Sequence, residues 1–105
     1  MEALTLVTQK PGHFVLQGDL NRDSVPLCKQ QTFLALKKFG QTSKTESAIL
    51  DMSGIAHADT AGLAWLINLL KNCKQQNILL ELKNIPETLV NLAKISDVDG
   101  FLSVQ

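Results

Sequence analysis

The sequence lacks several features that would assign a function directly. Its 105 residues include only two cysteines and two histidines. The formal net charge is zero, because ten Lys and Arg residues balance ten Asp and Glu residues. A neutral chain has no surplus cations, so a diffuse basic surface for nucleic acid and a polybasic membrane anchor are both disfavoured. The apolar runs are far shorter than the roughly 20 residues that cross a bilayer, which predicts no direct membrane insertion.

Motifs for catalysis and metal binding are absent as well. Cys28 and Cys73 form no CxxC pair, and we interpret both as reduced thiols in the core. His13 and His57 have no partner at a metal-ligand spacing, and His57 is predicted to be a solvated loop residue. No P-loop, GxSxG or GxGxxG scaffold occurs. We therefore predict that the protein is not an enzyme and has neither a cofactor nor a metal.

The length and composition of the chain predict a single domain over residues 1–105. Hydrophobic residues make up 45% of the chain, which is enough for a real core. The first residues show no basic segment followed by a long apolar run, so no signal peptide is expected. These features predict a cytoplasmic location.

Turn signals and periodicity predict an α/β fold. Residues 4–8 and 13–17 flank a Pro-Gly turn and form an N-terminal β-hairpin, and Asp23 or Ser24 then caps a helix that ends at Gly40. Helices and strands alternate afterwards, which predicts one small mixed sheet with helices packed on one side. The predicted helices are residues 25–39, 60–76 and 86–95, and the later strands are residues 48–52, 78–82 and 101–104.

The helix over residues 60–76 carries two apolar faces. Trp65 and Leu69 lie nearly opposite its core stripe, so something else must bury them. Trp is enriched among interface anchors, which favours a partner surface on this second face. The core stripe consists of Leu63, Leu66, Ile67, Leu70 and Cys73.

The turn before this helix is the strongest candidate site. It follows a buried strand and so emerges at the carboxyl edge of the sheet, where α/β folds place their sites. Asp59 or Thr60 can cap the helix, and the Thr60 hydroxyl could instead carry a phosphate that the helix N-terminus stabilises. Gly62 has no side chain, so the first turn of the helix leaves space beside it. That space could admit the backbone of a partner or allow tight packing inside the domain.

Three sequence blocks in order resemble the STAS-domain family. They are LQGDLN at residues 16–21, ILDMSGI at 49–55 and DTAGL at 59–63. The resemblance implies a sheet of four to five strands with helices on one side. The chain departs from the family pattern where Asp19 stands in place of Glu and Asn21 in place of Asp.

The resemblance also implies a role for Thr60, which falls at the family's switch position. In anti-sigma factor antagonists this residue is a serine that a partner kinase phosphorylates. In the small STAS subunit of the Mla phospholipid-transport ABC complex it is a threonine at the contact with the ATPase. This chain looks more like the second branch in three respects. They are the threonine itself, the run TAGLAWL at 60–66 and the segment LNRDSVPL at 20–27. Together with the second apolar face of the helix and its first turn, the resemblance gives a predicted partner-binding set, which consists of Asp59, Thr60, Ala61, Gly62, Trp65 and Leu69.

Two functions therefore stay open. The first is a non-catalytic accessory subunit, peripheral to the inner membrane, that regulates the ATPase of an ABC transporter and through it contacts the membrane permease. Such a transporter moves phospholipids to maintain outer-membrane lipid asymmetry. The alternative is an anti-sigma factor antagonist switched by phosphorylation at Thr60. A small-ligand site has little support, because the sequence offers few polar groups that could converge on a ligand. They are Asp51, Ser53, Asp59 and Thr60.

Overall fold

Helices and strands follow one another in the order that the sequence predicts. The computed structural model describes residues 4–42 and 46–97. The predicted last strand at 101–104 lies outside these residues, as does the side chain of Cys28. The described elements are β1 (Thr5–Lys10), β2 (His13–Leu20), α1 (Val25–Thr42), β3 (Ala48–Ala58), α2 (Thr60–Gln75), β4 (Leu80–Lys83) and α3 (Glu87–Ile95).

The four described strands form one mixed sheet in the order β1-β2-β3-β4. β1 and β2 are an antiparallel hairpin, while β2–β3 and β3–β4 are parallel pairs. Parallel neighbours need crossover connections, and α1 and α2 supply them. Burial alternates at the start of β3, where Ala48, Leu50 and Met52 are buried and the residues between them are more exposed. The predicted α/β fold, with helices packed on one side of a small mixed sheet, is confirmed.

The core lies between that face of the sheet and the helices. Cys73 is buried in it, and burial raises the pKa of its thiol to about 11. The thiol therefore stays protonated at neutral pH, as expected of an unreactive core cysteine. Within residues 4–42 and 46–97, no helix is long and apolar enough to cross a membrane. The largest fully buried hydrophobic side chains are Leu16, Leu20, Leu36, Leu50, Met52, Leu66, Leu89 and Cys73.

Several predicted boundaries are wrong, and packing explains one of them. α1 does not end at Gly40 but continues to Thr42. A Cβ at Gly40 would lie 3.1 Å from Cγ1 of Ile78, so this glycine brings α1 close to the chain before β4. β2 and β3 extend to Leu20 and Ala58, beyond the predicted ends at residues 17 and 52, because polar residues inside them resemble loop sequence. β4 begins at residue 80 rather than 78.

A buried hydroxyl on α1 gives a first testable prediction. Thr32 is fully buried, and its Oγ1 has no hydrogen-bond partner in the described structure. Valine has nearly the same shape without the polar atom, so Thr32→Val is expected to raise the free energy of unfolding by about 1 kcal/mol and Tm by about 4 °C. Thermal unfolding followed by circular dichroism measures this change.

Thr42→Val is the matched control on the same helix. The Thr42 side chain is exposed, and its hydroxyl donates to the carbonyl oxygen of Phe39 over 2.9 Å. Its replacement should give no gain. A decrease in Tm for Thr32→Val would mean that the Thr32 hydroxyl has a partner in solution.

Candidate functional site

The candidate site forms where two parallel strands end beside the start of a helix. Asp19 pairs with His57 and Leu20 with Ala58 at the carboxyl ends of β2 and β3. The backbone N–H of Asp59 then donates to the carbonyl oxygen of Leu20 over 3.2 Å. The turn into α2 is thereby fixed to the sheet, at the carboxyl edge that the sequence predicts.

Asp59 is the residue that caps α2. Its backbone is extended, and its Oδ1 accepts a hydrogen bond from the N–H of Gly62 over 3.1 Å. This cap satisfies one of the free N–H groups of the first turn. Thr60 is the first residue of the helix and is exposed, whereas Asp59 and Ala61 are half-buried. Of the two capping residues that the sequence allows, the structure selects Asp59 and leaves the Thr60 side chain on the surface.

Gly62 packs inside the domain. A Cβ at this position would lie 2.8 Å from both Cγ and the carbonyl oxygen of Leu20. The space beside the first turn of α2 is therefore filled by β2 of the same chain. The hypothesis that Gly62 leaves room for a partner's backbone is wrong, and intramolecular packing accounts for this glycine.

A buried carboxylate lies next to this turn. Gly18 has a φ of 109°, and the β2–β3 register shifts between Gly18 and Asp19, as at a β-bulge. Asp19 is only 6% exposed, yet its Oδ1 lies 3.1 Å from Nδ1 of His57, whose side chain is 85% exposed. His57 lies in β3 and not in a loop, which corrects its predicted position, while its side chain is solvent-exposed as predicted. A glycine within a strand pattern is the signal that could have indicated the bulge.

The chain between β2 and α1 is organised by Asn21. Its Oδ1 accepts from the N–H groups of Asp23 and Ser24 at 2.9 and 3.0 Å, and its own N–H donates to Oγ of Ser24. The side chain that accepts from the free N–H groups before α1 is therefore Asn21, and not Asp23 or Ser24 as predicted, while Ser24 Oγ bonds back to the backbone of Asn21. The Val25 N–H donates to the Asn21 carbonyl oxygen, which starts the helix.

Trp65 and Leu69 are buried within this chain. Trp65 is 5% exposed and Leu69 3% exposed, and both belong to the core cluster. The prediction that this helix face needs a partner to cover it is wrong, because α1 packs against α2. Only the outer edge of these side chains reaches the surface, where they help to line a groove.

This α1–α2 groove is open and has a volume of about 660 Å³. Thr60 immediately precedes Ala61, one of the lining residues, so the exposed threonine stands beside the end of the groove. Sequence reasoning did not identify the groove, since it depends on how the two helices pack. Its walls include Val25, Lys29 and Phe33 from α1 and Ala61, Ala64 and Trp65 from α2.

Asp51 and Ser53 do not join this site. Asp51 Oδ1 accepts from the Ser53 N–H over 2.8 Å and from Nδ2 of Asn84 over 3.2 Å. The Ser53 N–H is the main cause of a lowered pKa at Asp51; burial opposes it, and the hydrogen bond from Asn84 lowers the pKa further. Asp59 lies eight positions after Asp51, a span of about 26 Å for an extended strand. The four polar groups of the small-ligand hypothesis therefore do not converge.

No group of three or more potential metal-ligating side chains is found among residues 4–42 and 46–97. What the site offers is an exposed hydroxyl at the positive end of a helix, beside a mostly apolar groove. This arrangement suits recognition of another molecule.

Similar proteins share this architecture. The anti-sigma factor antagonist SpoIIAA, in its unphosphorylated form, superposes with a TM-score of 0.61 at 14% identity, over 89% of this chain and 83% of that one. The murine Solute Carrier 26 family member A9 anion transporter matches with a TM-score of 0.51 at 17% identity, over 90% of this chain and 14% of the transporter. The protein Mglu matches with a TM-score of 0.56 at 10% identity, over 79% of this chain.

The chain spans only 19% of the length of Mglu, and at these identities the structural matches establish the fold alone. The sequence profile of the STAS domain matches residues 5–105, almost the whole chain. The protein belongs to the STAS-domain family.

Proposed function

We propose that this chain is a non-catalytic accessory subunit that binds and regulates the ATPase of an ABC transporter moving phospholipids. In this role it lies on the cytoplasmic side of the inner membrane, contacts the permease through the ATPase, and helps to maintain outer-membrane lipid asymmetry. The observation that carries the proposal is the exposed Thr60 at the start of α2, which Asp59 caps, directly before Ala61, a residue that lines the α1–α2 groove.

The chemistry of this surface supports a protein contact. The first turn of α2 presents the small side chains of Thr60, Ala61 and Ala64, which let another chain approach closely. Regulation requires that the subunit bind one conformation of the ATPase more tightly than another. A rigid helix start, fixed to the sheet through Asp59 and Gly62, is suited to such discrimination.

The test is recovery of the ATPase with the tagged chain from membranes of its own cells. Thr60→Glu places a carboxylate in the contact, which is expected to reduce ATPase recovery about tenfold or more. A carboxylate at a helix N-terminus does not destabilise the helix, so the variant should stay folded. Thr60→Ser keeps the hydroxyl and should bind like the native chain.

Thr88→Glu is the matched control, because Thr88 is an exposed residue in the first turn of α3. It should leave recovery within about twofold of the native chain, as surface substitutions usually do. Equal recovery with Thr60→Glu and the native chain would contradict a contact at Thr60. Absence of any ABC ATPase from the native eluate would contradict the function.

The alternative, an anti-sigma factor antagonist, is favoured by one observation. SpoIIAA matches over most of both chains, and its described form is the unphosphorylated one. A phosphate on Thr60 would add about two negative charges at the positive end of α2. A soluble kinase in the eluate, with a phosphate on Thr60 by intact-mass and peptide analysis, would establish this function in place of the first.

A further inference from the structure

The α1–α2 groove has the length and shape of a helix-binding site. On α2 its wall runs along Ala61, Ala64, Asn68 and Asn72, which follow one another at helical spacing. From Ala61 to Asn72 the wall rises by about 16 Å along the helix axis. This length matches a partner helix of about three turns. The small side chains of Ala61 and Ala64 at one end leave room for a second helix to lie close to α2.

The lining of the groove combines an apolar floor with a polar rim. Phe33 from α1 and the edges of Trp65 and Leu69 from α2 provide apolar surface. Amide groups of Asn68 and Asn72 border it on the α2 side. This is the pattern that receives the apolar face of an amphipathic helix, with polar groups meeting its edges.

The charges at the groove indicate which charge the bound segment should carry. Among the described residues that line the groove, Lys29 is the one with a charged side chain, and it is exposed. The end of the groove at Ala61 lies in the first turn of α2, where the helix dipole is positive. Both features favour a negative group on the bound segment, and the lining contains no acidic side chain in the part of the chain that the structure describes.

We infer that the α1–α2 groove docks an amphipathic helix of the partner ATPase, which packs apolar side chains against Phe33 and Ala64 and pairs a carboxylate with Lys29. The inference rests on the proposed function, because the groove begins next to Thr60 and one partner would cover both. It adds a second contact area and the chemistry of the segment that occupies it.

Two groove variants test this inference by ATPase recovery. Lys29→Glu reverses the charge, and Ala64→Trp fills the groove from an exposed position. Each is expected to lower recovery about tenfold, since a like charge or a steric block removes the contact. Lys38→Glu makes the same charge change at an exposed position of α1 outside the groove lining and should leave recovery within about twofold. Circular dichroism and thermal unfolding confirm that the variants are folded.

Recovery with Thr60→Glu, measured in parallel, separates the two proposals. Loss of the ATPase with Thr60→Glu but not with the two groove variants would overturn the groove inference and leave the proposed function standing. Absence of the ATPase even with the native chain would refute the proposed function, and the inference with it.

Photo-crosslinking identifies the occupant. p-Benzoylphenylalanine at position 68, irradiated in the purified complex, should crosslink to one ATPase peptide with helical apolar periodicity and an acidic residue. Changing that acidic residue to Lys should restore recovery with Lys29→Glu. Crosslinks to a second copy of this chain, to the permease or to a small apolar ligand, or a failed charge exchange, would overturn the inference.

Discussion

Replacing Trp65 with alanine is expected to lower the free energy of unfolding by about 3–5 kcal/mol, the usual cost of truncating a buried aromatic side chain. Trp65 is 5% exposed and packs in the core cluster where α2 meets α1. Truncation leaves a cavity that the two helices can close only in part. Urea unfolding followed by far-UV circular dichroism measures the loss, since Trp65 is the only tryptophan and its fluorescence disappears in the variant.

Ile95→Ala is the control for this measurement. Ile95 is 82% exposed at the end of α3, so its truncation should change the free energy of unfolding by about 0.5 kcal/mol or less. A Trp65→Ala protein as stable as the Ile95→Ala protein would show that α1 does not cover Trp65 in solution.

This stability effect changes how a binding defect at Trp65 is interpreted. A loss of partner binding in Trp65→Ala could arise from partial unfolding and not from a lost contact. Trp65→Phe keeps most of the buried area and costs less stability. Binding is therefore better tested at Thr60 and Ala64, which are exposed.

The sequence predicts the elements of this fold because their signals are local. The Pro11-Gly12 turn and the alternating residues around it define the hairpin, and Gly12 has the positive φ that such a turn requires. The apolar stripe of α2 and its capping residue Asp59 are also visible within a few residues of sequence.

The features that the sequence does not predict depend on contacts between distant segments. The Asp19–His57 pair joins residues 38 positions apart, and it needs both the bulge at Gly18 and the parallel register of β2 and β3. The burial of Trp65 depends in the same way on where α1 packs. A single helix pattern shows that an apolar face must be covered, but it does not show whether the same chain or a partner covers it.

Replacing Gly62 with valine is expected to lower the free energy of unfolding by about 3 kcal/mol, because the added atoms overpack a well-filled site. The first of these atoms would meet both Cγ and the backbone oxygen of Leu20 at 2.8 Å. Ala64→Val lies on the exposed side of the same helix. It should lower the free energy of unfolding by only about 0.5 kcal/mol, because valine has a lower helix propensity than alanine. Urea unfolding monitored by Trp65 fluorescence compares the two variants.

The double variant Leu20→Ala with Gly62→Val tests the origin of this loss. Leu20→Ala alone removes a fully buried side chain and should cost about 2–5 kcal/mol. It also vacates the space that a valine at 62 needs, so the double variant should be more stable than the sum of the single effects by about 1 kcal/mol. The backbone oxygen of Leu20 remains in place, which keeps the rescue partial. Strict additivity would show that the two residues do not share this space. Coupling would mean that Leu20 on β2 and the first turn of α2 share this space, so that the packing of Leu20 helps to fix the position of the helix start that carries Thr60.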